Sequence, residues 1–317
     1  MSTERGSKKR KIRSACSKLD DDHDSNLESV GLDMEKDALA QLDGVLEWMD
    51  PNLKDHAFSS ASSTLVSDIQ ITAGPPLPLK DDLAQRVSAA RLVGADHFMS
   101  STNMHKFLDM LLRLVARPSE ASARTWVDAF LYRASAMLPP TKKLIFNVEY
   151  KVWPVSVLTA MGTEVLQVGY VDYTTVVTND VKIARYFLNN PGIGEVLQEV
   201  ESVLRFFVVE AKHRDVKFQD HVPQVLTQLY AAATKLKKTH IRGTLTNGYD
   251  WLFLLLTVNP NGQGATYRIS ERSYSAAPQE TGVDVVVPDL PADMIAGILA
   301  SWIEHSCEDL LEDEWFV

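Results

Sequence analysis

The run Phe206-Phe207-Val208-Val209-Glu210-Ala211-Lys212 constrains this chain more than any other stretch: an apolar strand, starting near Val203, stops abruptly on two opposite charges. Side chains alternate across a strand with period two, so Glu210 and Lys212 share a face. A second apolar, β-rich run over residues 165–177 carries one acid, in Gly169-Tyr170-Val171-Asp172-Tyr173. Two neighbouring strands of this kind can present Asp172, Glu210 and Lys212 at one spot.

Patterns on either side set the fold class. Helical periodicity predicts helices over 81–92, 104–116 and 119–137, the last capped by Ser119 and stopped by Pro139-Pro140. Strands follow over 144–152 and 165–177, then helical sequence around 183–188 and on to residue 201, broken by a turn at Asn189-Asn190-Pro191-Gly192. After the Glu210 strand, residues 219–237 form an amphipathic helix. Residues 241–246 and 251–258 read as a hairpin across Asn247-Gly248. A last helix covers 292–304. This order predicts a mixed α/β layer architecture, a central mixed sheet flanked by helices behind an N-terminal helical section.

Charge divides the 317 residues into parts. Residues 1–18 carry a net +6, residues 19–55 a net −10 and residues 304–317 a net −6, which leaves the body neutral inside a chain of net charge −10. The acidity therefore does not argue against a phosphate-binding body. Residues 1–75 are expected to be disordered, basic then acidic, with a serine-rich end and one helical stripe at Leu39, Leu42, Leu46 and Met49. Residues 76–303 are expected to form one domain with its core over about 118–260, and residues 304–317 an acidic tail closing on Trp315-Phe316. Lys8-Lys9-Arg10-Lys11-Ile12-Arg13 matches a nuclear-import signal, which predicts an import receptor as partner and a nuclear location, with the cytoplasm as the alternative.

Several classes are excluded. Two cysteines at opposite ends rule out a disulfide framework and a cysteine zinc site. The eight histidines show no HxxxH or HxH pairing, and no GxSxG or Walker sequence occurs. Gly192-Ile193-Gly194 lacks a third glycine and reads as a turn. No apolar stretch approaches the ~18 residues of a membrane span.

What remains is the acid pair. Hard divalent cations take carboxylate oxygens and keep several waters, so two acids at converging strand ends suit Mg²⁺, with Mn²⁺ as a substitute. A neighbouring lysine can orient a water or stabilise charge growing on a phosphate. A Glu-x-Lys triplet alone is weak, since about one is expected by chance in a chain of this size. A second copy, Glu149-Tyr150-Lys151, has no acid on a preceding strand and reads as a solvent-facing pair, with Glu149 alone within approach of a metal.

Taken with the flanking motifs, the sequence resembles the PD-(D/E)XK nuclease superfamily of restriction-endonuclease-like fold. More narrowly it is similar to fungal nuclease-like domains, some attached to Crinkler-type effectors. The shared phrases are ARTW-DAF--RASAM at residues 123–137, GYVDY at 169–173, VVEAK at 208–212, the pair Gln224 and Gln228, and RG-LTNG--W-F at 242–253. The match covers roughly residues 118–260, and Val171 stands where the family motif often has proline. The resemblance implies that Asp172 and Glu210, with the Ala211 carbonyl, hold the metal and that Lys212 positions the attacking water. It further implies that Glu120 supplies an extra acid from the first helix, where its alternative role is to complement the helix N-terminus. Gln224 and Gln228, one helical turn apart, would face the site or substrate.

Lys235, Lys237, Lys238, His240 and Arg242 form a basic run expected beside the site, either gripping a nucleic-acid backbone or complementing a helix end on a solvated face. The leading expectation is a Mg²⁺-dependent endonuclease on DNA, with homodimers common in the family. The alternatives are a catalytically silent binding domain of the same fold and a protein-interaction factor acting through the acidic C-terminal segment.

Overall fold

The computed structural model describes residues 54–116, 119–189, 205–281 and 284–317. The basic run at Lys8–Arg13, the Leu39–Met49 stripe and the Gly192-Ile193-Gly194 turn lie outside the described residues, as does most of the helical sequence expected up to residue 201.

The chain starts with β1 (Lys54–Ala57), a short 3-10 turn, α1 (Ser63–Asp68) and β2 (Ile71–Ala73). Three helices follow: α2 (Leu83–Leu92), α3 (Ser101–Leu114) and α4 (Glu120–Met137). Two long strands, β3 (Lys143–Leu158) and β4 (Glu164–Thr178), lead into α5 (Val181–Asn189) and then β5 (Arg205–Ala211). Helix α6 (Phe218–Lys235) connects β5 to β6 (His240–Thr246), and β7 (Asp250–Val258) and β8 (Ala265–Ile269) continue as a meander. Short strands β9 (Tyr274–Ser275), β10 (Gln279–Thr281) and β11 (Asp284–Val286) precede α7 (Asp289–Glu304).

Among the described residues nine strands form one mixed sheet in the order β1-β4-β5-β6-β7-β8-β2, with β3 on β4 and β9 on β7. Strands β5 and β6 are parallel, which requires a crossover, and α6 provides it. β5 is buried along both faces: Phe206 and Val208 enter the core under α1, α5 and α6, while Phe207, Val209 and Ala211 enter the core under α2, α3, α4 and α7. An apolar strand without polar alternation is what such two-sided burial demands. The protein is thus mixed α/β, with a mixed sheet between two helical layers.

Local sequence chemistry explains the elements that hold the site. Ser119 caps α4 in a reciprocal capping box with Ser122. Ala123, Trp126, Val127, Phe130 and Ala134 then bury one stripe of that helix at i, i+3, i+4 spacing. β3 runs along one edge of β4, so the other edge is shared: β1 pairs with residues 165–168 and β5 with residues 173–177. Residues 169–172 pair with neither β1 nor β5, and Asp172 stands at the end of that gap. Gly169 has φ +148, and a Cβ there would meet the Phe58 ring at 2.8 Å, so this position of the GYVDY motif requires glycine.

Two expectations are corrected. Residues 54–75 are part of the folded body: Phe58, Ile69 and Ile71 are core residues, and β1 and β2 complete the sheet edges. The C-terminal segment is not a free tail either. Trp315 and Phe316 are buried against α7, with Phe316 packed on Trp302 and Phe253. A closing Trp-Phe pair on an acidic stretch is here a core anchor, which removes it as an exposed docking motif.

Candidate active site

The β4 gap, the end of β5 and the N-terminal halves of α4 and α6 meet at one place. Asp172 Oδ2 accepts the Ala211 backbone N–H at 2.7 Å, which ties β4 to β5 where their ladder ends. Glu210 points toward α6 and is almost fully buried. Its Oε1 accepts from Lys212 Nζ at 2.6 Å and from Gln224 Nε2, and its Oε2 accepts from Gln228 Nε2 at 2.7 Å. Gln228 also donates to the Tyr170 carbonyl at 3.2 Å, inside the β4 gap. The two glutamines are therefore buried positioning groups for Glu210, not side chains displayed to a substrate.

On the other side of Asp172 stands Arg124. Its Nη2 donates to Asp172 Oδ1 and to Glu120 Oε1 at 3.1 Å, and its Nη1 donates to Glu149 Oε1 at 2.7 Å. Tyr173 Oη donates to the Arg124 carbonyl at 3.1 Å, which fixes α4 against β4. The structure thus brings together Asp172, Glu210, Lys212, Gln224, Gln228 and Glu120. Glu149 belongs there as well: its side chain is solvent-facing, as expected, and it pairs with Arg124.

The electrostatics follow from burial. Glu210 is pushed up to about 7, first by desolvation and then by the charge of Asp172, against the pull of Lys212 and Gln228. Asp172 is also raised by burial, although the Ala211 amide and Arg124 draw it down. Partial burial pulls Arg124 down, but Glu149, Asp172 and Glu120 outweigh it and leave its guanidinium more firmly protonated than usual.

The basic run divides differently from expectation. Lys235 ends α6, two helical turns beyond Gln228, and Lys237 and Lys238 follow it away from the acids. They lie at the opposite end of α6 from the site. Arg242 is buried: it pairs with the buried Asp313 at 2.7 Å, lies over the Trp302 ring at 5.2 Å and donates to the Asp309 carbonyl. Its place in the Arg242–Phe253 phrase is explained by packing, and it cannot touch a nucleic acid. The exposed cations on the Lys212 side are instead Arg214, Lys217 and Arg272, around a cleft of about 440 Å³ that Asn247 and Asp250 also line. A larger cavity of about 750 Å³ between α3 and α4, lined by Phe98, Phe107, Met110 and Tyr132, contains none of the carboxylates.

Among the described residues no group of three or more His, Cys, Asp and Glu side chains is set in metal-holding geometry. The donor chemistry still fits a hard cation: Asp172 within β4 and Glu210 near the end of β5 are buried carboxylates on adjoining strands. Arg124, between Asp172 and Glu120, already supplies one positive charge to these acids.

Arg124 lies inside the ARTW phrase, but that phrase gave it no site role. Its signal was the Glu120–Arg124 spacing of four on one helix, which places the two side chains on one face. No protein-family model matches the chain, and no curated protein shows significant similarity to it.

Proposed function

We propose that this protein is a metal-dependent phosphodiesterase of restriction-endonuclease-like fold that cleaves nucleic acid, with DNA the favoured substrate. The observation that carries the reading is the meeting of Asp172, Glu210 and Lys212 where β4 and β5 part, with Gln224 and Gln228 locking the Glu210 carboxylate. Element order supports it: a helix, an antiparallel pair with the acid on its second strand, a helix, a third antiparallel strand ending in Glu-x-Lys, a crossover helix and a parallel strand.

Asp172, Glu210 and the Ala211 carbonyl would hold Mg²⁺ or Mn²⁺, which when bound supplies an activated water and neutralises charge on the phosphate. Lys212, 2.6 Å from Glu210 Oε1, keeps its ammonium beside the reacting phosphate, where it orients the water and favours the more charged transition state. Gln228 bridges Glu210 and the Tyr170 carbonyl, so the carboxylate cannot swing out of line. Arg214, Lys217 and Arg272 would hold the flanking backbone from a neighbouring cleft, whose lining does not include Asp172, Glu210 or Lys212. Nuclear import through Lys8–Arg13 would bring the enzyme to DNA.

Lys212→Ala should abolish metal-dependent cleavage and leave circular dichroism unchanged; equal cleavage by both proteins would remove Lys212 from the chemistry. One observation favours a second reading, a catalytically silent binding domain. Both oxygens of Asp172 and both of Glu210 already have protein donors. DNA affinity indifferent to metal, without cleavage, would select it.

A further inference from the structure

Arg124 is hydrogen-bonded to three carboxylates from three elements: Glu120 on its own helix, Glu149 on β3 and Asp172 on β4. Its two terminal nitrogens divide the work. Nη2 is shared by Glu120 and Asp172, whereas Nη1 serves Glu149. The Arg124 Nε is shielded from solvent and has no partner, so the guanidinium is held entirely through its fork.

Glu149 is the unusual member. The β3–β4 register is unbroken around it, with Val148 opposite Tyr173 and Tyr150 opposite Val171, so Glu149 and Asp172 are opposed positions. Like charges directly opposed in a sheet repel. Glu149 does not pair there; it takes φ +52, a left-handed backbone that a non-glycine residue adopts at a cost, and its side chain, 67% exposed, turns outward onto Arg124. The strand is distorted at the residue that gives the guanidinium its most exposed partner; Glu120, on the same helix as Arg124, is 40% exposed.

Resting on the reading of Asp172 as a metal carboxylate, we propose that Arg124 is a built-in competitor of the divalent cation. Its Nη2 takes the Asp172 oxygen until metal arrives, and Glu149 is the tether to which it retreats. A guanidinium and a divalent ion on one carboxylate oxygen repel each other at close range and compete for its lone pairs, so each weakens the other's hold on Asp172. Entry of the ion therefore expels Nη2. The Nη1–Glu149 bond survives that movement because the Glu149 side chain is free to follow outward. Arg124 then stays at the rim of the site, one bond from its resting place.

The test is calorimetric titration of Mn²⁺ into the full-length protein without nucleic acid. Arg124→Gln should bind Mn²⁺ about tenfold more tightly, since one positive charge leaves the immediate neighbourhood of the ion. Glu149→Gln should weaken Mn²⁺ binding in the wild-type background and have no effect in the Arg124→Gln background, because Glu149 acts only through Arg124. Unchanged or weaker binding by Arg124→Gln, or an equal Glu149→Gln effect in both backgrounds, overturns the proposal. If Arg124→Gln does not fold, Arg124→Lys replaces it: one ammonium cannot hold Glu149 and Asp172 together, so binding tighter than wild type is expected and equal or weaker binding overturns the proposal. Wild-type binding that Asp172→Asn abolishes keeps the metal reading intact even if the competitor role fails. Absence of Mn²⁺ binding in wild type and Arg124→Gln alike defeats both.

Discussion

Glu210 is a carboxylate whose surroundings oppose its own charge. Burial and the Asp172 charge push it up to about 7, above the 4.5 of a free glutamate. A raised carboxylate stabilises the fold fully below its unfolded value, and that stabilisation is lost as pH rises through the folded value. The metal-free protein should therefore lose stability between about pH 4.5 and 7, by on the order of 3 kcal/mol, because each pH unit between the two values is worth ~1.4 kcal/mol. Urea denaturation in EDTA at pH 5 and pH 8 measures it, and Glu210→Gln should flatten the difference. A wild-type profile as flat as that of the variant would mean that Glu210 is solvated. At this scale the sequence was legible where the signal is local. Glu210 and Lys212 are two residues apart on an apolar strand, so period two alone puts them together. Arg124, Glu149 and Asp172 lie on three elements distant in the chain, and no spacing rule joins them. The left-handed backbone of Glu149 leaves no mark in sequence either, since glutamate has no preference for it.

At the scale of elements, α4, α6, β5 and the β6–β7 hairpin were legible because each has a strong period and clear end signals: the Ser119 cap, the charges closing β5, the Asn247-Gly248 turn. The β1–α1–β2 segment was not. Its apolar residues Phe58, Leu65, Val66, Ile69 and Ile71 are few and scattered among serines, and only the edges of β4 and β8 make them worth burying. Arg242 shows the same limit. Read as part of a basic run it belongs on the surface, yet it sits on β6 against Trp302 with Asp313 as its buried counter-ion. Removing one partner of a buried pair strands the other, so Arg242→Ala should cost about 3–5 kcal/mol in chemical denaturation. A loss below about 1 kcal/mol would mean the pair contributes little to holding the C-terminal segment.

For the molecule as a whole, the acidic C-terminus is fastened to a neutral body by Lys142–Glu304, Arg205–Glu308 and Arg242–Asp313. Among the described residues no helix is long and apolar enough to cross a membrane. On the proposed nuclease reading, nucleic acid would take the face around Lys212 and not the far end of α6. Replacing Arg214 and Arg272 together by glutamate should weaken DNA binding and flatten its salt dependence by about 0.9 log units for each phosphate no longer neutralised. The same change at Lys235 and Lys238 should leave both quantities near wild type; the reverse pattern would move the DNA to the other end of the sheet. The decisive experiment for the nuclease reading is cleavage of supercoiled plasmid by the full-length protein in Mg²⁺, Mn²⁺ and EDTA, with Asp172→Ala beside it. Cutting is expected to require metal and to be lost in the variant. A folded wild-type protein that binds DNA but does not cut it in either metal, or a variant that cuts as well as wild type, would contradict that reading.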